Sequence, residues 1–258
     1  MASIRPLLLA ACLAGTSLAA LAHDSWLAPQ PDGVWLLGTG DQFPVLETPI
    51  GTEYLPRQGC VDAAGQPLPR PTALPYTATA LPLRPPAGAA SCWMQTSAFD
   101  VELTPRTIPA YLKEVRPGAE MLATWQAMAA RGLPWRERYV KHLRIERPGS
   151  GPAAVPSGLG MDMLLQGERR TLQAGDRVTV QVLRDGQPVP GLSVEWRHER
   201  GRIGLWQRTD AQGLVTQPLP LAGHWLLRAI DLRLSTEQPD QFDSRFMTLA
   251  LEVAPAPR

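Results

Sequence analysis

A mainly β protein is the fold class this sequence predicts. Two observations carry that expectation. Proline (27) and glycine (22) are frequent along the 258 residues, which suits short strands joined by turns better than long helices. From about residue 178 onward, apolar and polar residues alternate in run after run, the period of a strand with one buried face.

Residues 1–22 read as a secretory leader. Arg5 gives a positive start, residues 7–21 are apolar and uncharged, and Ala20-Leu21-Ala22 is a small-x-small cleavage pattern. The run falls short of the roughly 20 residues of a membrane span, which sets aside the anchor alternative. A lipid attachment at Cys12 is a second alternative, because Leu9-Ala10-Ala11 precedes it. Cleavage after Ala22 makes His23 the first residue of a mature chain of 236 residues, enough for one large or two ordinary domains. That chain carries 24 basic and 24 acidic side chains, because only Arg5 leaves with the leader. A balanced charge excludes nucleic acid and an anionic membrane surface as expected partners, and no later segment has the length of a transmembrane span.

Two cysteines remain, Cys60 and Cys92. In an oxidising compartment they are expected to form one disulfide, closing a loop worth roughly 3 kcal/mol. Two thiolate metal ligands are the alternative, but no tight Cys-x-x-Cys spacing supports them.

The segments then follow in order. Residues 67–86, rich in Pro, Ala and Leu, predict extended loop or edge strand. A short helical insertion is expected over 108–131: Met121, Leu122, Trp125 and Met128 recur at helical spacing, Pro117-Gly118 divides the segment, and Gly132 stands where a cap belongs. That stripe reads as core packing. The end of 135–146 alternates, with Leu143 and Ile145 on one face and Arg144 and Glu146 on the other. Residues 147–160 are rich in Pro, Gly and Ser and read as a linker. The expected division is an N-terminal β-rich domain over 23–155 and a C-terminal sandwich over 156–258. In the latter, Val178, Val180 and Val182 form one face and Asp185-Gly186 a turn. Leu192, Val194 and Trp196 follow, then a turn at 209–213. Trp225, Leu227 and Ala229 and finally Met247, Leu249, Leu251 and Val253 complete an antiparallel sandwich.

The motifs form an ordered set. His23-Asp24-Ser25-Trp26-Leu27 opens the mature chain, and Gly40-Asp41-Gln42-Phe43-Pro44 follows. Tyr111-Leu112-Lys113-Glu114 precedes the run from Arg136 to Lys141. Asp185 to Gly191, Thr209 to Gly213, Ala222 to Leu226 and Asp243 to Leu249 complete it. In this order they resemble a bacterial secreted family, domain of unknown function 4198, whose members are described as periplasmic components of nickel or cobalt uptake. The resemblance implies an immunoglobulin-like or transthyretin-like C-terminal sandwich. It also implies a bound divalent transition metal, nickel or cobalt first and copper or zinc next, and a membrane transport complex as partner. One departure stands out. Where the family pattern has a histidine after the Gly-x-Trp-Leu stretch, this chain has Asp231, a carboxylate on an otherwise apolar face that needs a metal or an arginine.

His23 is the leading ligand candidate. At a mature N-terminus it offers both a free amine and an imidazole, and nitrogen donors suit Ni, Co, Cu and Zn. The third mature residue is Ser25, so an N-terminal clamp with histidine in third place is absent and the fold must supply other ligands. His142, His224 and Asp231 are the candidates. His198 continues the inward row of Val194 and Trp196 and is expected in the core. Glu114, Arg138 and Lys141 fit an ion-pair network.

An enzyme is not expected. The chain lacks a Gly-x-Ser-x-Gly elbow, a His-Glu-x-x-His motif, a Walker loop and a dinucleotide fingerprint. A copper-dependent oxidase is the one catalytic alternative. The leading reading is a metal-binding accessory of uptake. The other is a non-catalytic sandwich adaptor for a permease or envelope partner.

Overall fold

A computed structural model describes residues 23–149, 151–152, 154–168 and 170–257. The expected leader, 1–22, and Cys12 lie outside the described residues. Strands dominate, as the proline and glycine punctuation implies.

The first strands are β1 (Asp24–Pro29), β2 (Trp35–Gly40), β3 (Arg57–Val61), β4 (Leu81–Arg84), β5 (Ser91–Gln95) and β6 (Phe99–Leu103). Two helices follow, α1 (Ile108–Val115) and α2 (Ala119–Ala130). Then come β7 (Trp135–Glu146), β8 (Met161–Leu165), β9 (Arg177–Arg184), β10 (Ser193–His198) and β11 (Gly201–Arg208). The last are β12 (Leu214–Pro218), β13 (Gly223–Leu234) and β14 (Phe242–Ala254).

One large sheet runs through the middle in the order β11-β10-β13-β14-β7-β5-β3, with Pro67–Leu68 at its edge. Every pairing on this path is antiparallel except one. β7 and β14 lie parallel, Glu137 opposite Phe242 through Ile145 opposite Ala250. This pair joins the residues before the 147–160 stretch to those after it in a single sheet. A second sheet, β1-β2-β4, packs on one face of the large sheet, and a third, β8-β9-β12, packs on the other. Among the described residues no sheet closes into a barrel.

Alternation decides which side chain meets which layer. Trp225, Leu227 and Ala229 of β13 and Met247, Leu249 and Leu251 of β14 face the third sheet, where they meet Val178, Val180 and Val182. This is the expected C-terminal sandwich. The residues between them, Leu226 and Ala250, face the second sheet and meet Trp26, Trp35 and Leu37. Further along the same face, Trp135, Ile230, Phe242 and Phe246 meet Ile108, Tyr111 and Val115 of α1 and Met128 of α2. Of the helical stripe, Met128 is buried in this cluster and Met121 and Trp125 pack half-buried against it, whereas Leu122 is half-buried outside it. Trp26, Trp35, Trp135, Trp196 and Trp225 are fully buried and supply much of the apolar area of all three clusters.

β7 differs from a half-exposed strand. Its second half is covered on both faces, so Arg144 and Glu146 are buried as well as Leu143 and Ile145, while Arg136 and Arg138 near its start are exposed. They are tolerated there because they satisfy one another. Arg144 Nε donates to Glu146 at 2.7 Å, its Nη1 reaches Asp162 at 3.2 Å, and Ser91 donates to Glu146 at 2.7 Å.

The turns read from sequence form as expected. Asp185 (φ 51°) and Gly186 (φ 77°) are both left-handed, as a two-residue hairpin requires. Gly213 (φ 72°) brings its backbone so close to the Val182 carbonyl that a Cβ would stand 2.6 Å from it.

Cys60 and Cys92 form the expected disulfide, directly opposite one another on β3 and β5 with a separation of 32 residues. A loop of that length predicts that a Cys60→Ala/Cys92→Ala double variant loses about 3 to 4 kcal/mol of stability in urea unfolding. An unchanged midpoint and slope would contradict this.

Candidate functional site

The floor of the site follows from strand parity. Glu137, Tyr139 and Lys141 are alternate residues of β7 on the face away from the third sheet. Phe99, Val101 and Leu103 of β6 and Phe246 of β14 share that face. The second sheet covers one end of this face and the helices cover the other. Between them lies a cavity of about 450 Å³. His23, Ser25 and Thr39 form one wall, Ile50 and Tyr54 a second, and Tyr111 of α1 closes the end.

The start of β1 is held over this floor by charge. Asp24 is buried, and its Oδ2 lies 2.7 Å from Arg228 Nε and 3.0 Å from Arg197 Nη1. Both arginines also reach Glu195 and Glu114, the latter extending from α1. Next to this network Lys141 Nζ donates to the His23 carbonyl at 2.8 Å and to Ser25 Oγ at 3.2 Å. Thr248 Oγ1 donates to the Ser25 carbonyl at 2.6 Å.

Burial pulls the Lys141 ammonium down to about 8, with the Asp24 carboxylate pulling the other way. Glu137 is pushed up by burial, opposed by hydrogen bonds from Ser244, Tyr111 and Trp135. Burial and the adjacent Glu137 raise Tyr111 well above an ordinary phenol and raise Tyr139 as well. Glu137 thus faces the cavity with both oxygens already occupied.

The expected metal residues are not brought together. His23 stands at the cavity, a third exposed, with Nε2 3.5 Å from the Glu47 carboxylate. His142 faces the opposite side of the large sheet, buried, its Nδ1 3.1 Å from the Phe246 carbonyl. His224 pairs with Glu199 at 2.7 Å beside a different cavity, of about 550 Å³, next to Trp35 and Phe43. Asp231 has arginine partners: Arg184 at 2.7 Å and Arg233 at 3.0 Å. Its apolar face made a partner necessary, and the partner is guanidinium. Among the described residues, no group of three or more His, Cys, Asp or Glu side chains is placed to hold a metal ion.

The remaining expectations divide. His198 is in the core, its Nε2 3.0 Å from the Ala222 carbonyl. Glu114 does belong to an ion-pair network, and Arg138 lies at the surface 3.9 Å from Asp100. Lys141 forms no ion pair among the described residues and instead enters the cavity wall. The sequence carries a signal for it, because Lys141 and Glu137 break the inward row of Trp135, Tyr139, Leu143 and Ile145. Glu47 carries no such signal. Only the fold brings it to His23.

A central sheet packed between two others, tied by a disulfide and with a cavity of about 450 Å³ beside β1, defines the class as a layered β protein. Residues 137–231 match the model of the DUF4198 family, a domain of unknown function. The matched stretch runs from Glu137 at the cavity floor to Asp231 and includes Lys141, Arg197 and Arg228, but neither β1 nor β14. No curated protein matches the chain. Among the described residues, no helix is long and apolar enough to cross a membrane.

Burial lowers His142 to about 4, with Arg245 and Arg184 adding to the effect and the Phe246 carbonyl and Asp162 opposing it. The folded state therefore resists a proton that the unfolded chain accepts near pH ~6.5. This contribution to stability is complete above that pH and is lost as pH falls toward 4. Between pH 7 and pH 4.5, unfolding in urea is expected to show a loss of about 2 to 3 kcal/mol that His142→Gln removes. The same loss in the variant would contradict the assignment.

Proposed function

We propose that the protein is exported, loses residues 1–22, and serves in the periplasm as a metal-binding accessory of nickel or cobalt uptake. The observation that carries this reading is the position of His23. It stands at the cavity wall beside the Glu47 carboxylate, on a strand end held by Lys141 and by the Asp24 ion pairs.

Cleavage after Ala22 adds a free amine to the imidazole of the same residue. Amine, imidazole and Glu47 then make a set of two nitrogens and one oxygen, a set that suits nickel and cobalt and also accepts copper or zinc. Two side chains alone are too few for a metal site, so the reading depends on the amine as the third donor. His142, His224 and Asp231 are left out of the ligand set because each is engaged elsewhere. The bound ion would be cargo, released to a membrane transport complex. The disulfide is compatible with an oxidising compartment, and the resemblance of the ordered motifs to the family supports the uptake role.

Calorimetric titration of the mature protein with Ni, Co, Cu and Zn tests the reading. One extra residue before His23 is expected to weaken binding at least about 100-fold, because it removes the chelating amine. Glu47→Gln is expected to weaken it by about ten-fold. Equal affinity with and without the extra residue would overturn the role of the terminus.

A further inference from the structure

We propose that the cavity beside Lys141 binds a small organic carboxylate with an aromatic or branched apolar body. The inference is independent of any metal at His23. It rests on what the cavity offers at its two ends.

At the polar end Lys141 is the charge on offer. Its ammonium meets a backbone carbonyl and a serine hydroxyl, both neutral, and no carboxylate among the described residues pairs with it. The nearby Asp24 has its Oδ2 between Arg197 and Arg228. A half-buried cation held on neutral acceptors gains most from an anion that arrives with the ligand. The acid facing the cavity, Glu137, is already capped by Tyr111, Trp135 and Ser244, so an amine finds no corresponding partner. Among the described residues no arginine lines the cavity, which leaves the Lys141 ammonium, joined in a cleaved chain by the His23 amine, with hydroxyl neighbours. That fits one carboxylate better than a phosphate, which calls for several donors.

The rest of the cavity is an aromatic wall. Tyr54 and Phe99 have ring centroids 5.5 Å apart, Phe99 stacks on Tyr139 at 5.4 Å, and Tyr139 meets Phe246 edge-on at 5.7 Å. The row leads from exposed Tyr54 inward to buried Phe246. Such a surface takes a ring or a branched chain by burial and offset stacking. The volume, about 450 Å³, lies in the range of small-molecule sites and leaves room for a ligand of one ring and a short chain.

The test uses mature protein in excess chelator, so that its outcome does not depend on metal binding. 3-Phenylpropionate, its neutral amide and phenethylamine are titrated by calorimetry. The carboxylate is expected to bind at least about ten-fold more tightly than the amide, and the amine more weakly than either. Lys141→Met should abolish the preference for the carboxylate over the amide. Val101→Trp, which fills the cavity from β6 without touching Lys141, should weaken carboxylate and amide together, and it decides the matter if Lys141→Met does not fold. Equal binding of carboxylate and amide, no binding of any of the three, or carboxylate binding untouched by Val101→Trp would overturn the proposal.

Discussion

The pairing of Asp24 with Arg197 and Arg228 is the constraint on which the rest of the site depends. It joins the first strand of the chain to β10 and β13, some 170 and 200 residues later, toward the β11 edge of the central sheet. Three carboxylates and two guanidinium groups meet there: Asp24, Glu114 and Glu195 with Arg197 and Arg228. A buried network of this kind adds little over a well-packed apolar core. Removing one partner is different, because it strands the others in a low-dielectric interior and costs about 3 to 5 kcal/mol. The network therefore selects one position for β1 rather than simply strengthening its attachment. That position sets the His23 carbonyl above Lys141 and shapes a wall of the cavity.

The cavity itself is a consequence of layering. A central sheet with apolar residues on both faces needs cover on both. On one face the third sheet covers β10, β13 and β14. On the other, cover comes from two unlike sources, a second sheet packed around Trp26 and Trp35 and a helical pair packed around Trp135. Their gap falls where β5 ends and β6 begins, with Thr96 at the break bonding to Lys141 of β7. Polar residues that a closed core would exclude persist in this gap. Glu137 survives by taking three hydrogen bonds, and Lys141 survives by holding the chain start.

Much of this was legible in the residues. Strand period placed Trp225, Leu227 and Ala229 on one face and put His198 in the core. Helical spacing found α2, and two cysteines behind a leader-like start implied their disulfide. What could not be read was which faces meet. The alternation of Leu143 with Arg144 is the same whether the second face sees water or another sheet, and here it sees another sheet. Asp231 announced a need for a partner but not the partner's identity, because Arg184 lies 47 residues away on β9. Glu47 and His23 are brought together by the hairpin of β1 and β2 and the loop after it, and no local pattern marks that meeting.

The most direct test of this account is amide hydrogen exchange in Asp24→Asn compared with the unmodified protein. Removing one charge from the centre of the network should release β1, speeding exchange at Ser25, Trp26 and Leu27 by at least about 100-fold. The sandwich strands β9, β13 and β14 should keep their protection. Unchanged protection in β1 would contradict the claim that this ion network fixes the start of the chain. So would an equal loss of protection throughout the protein.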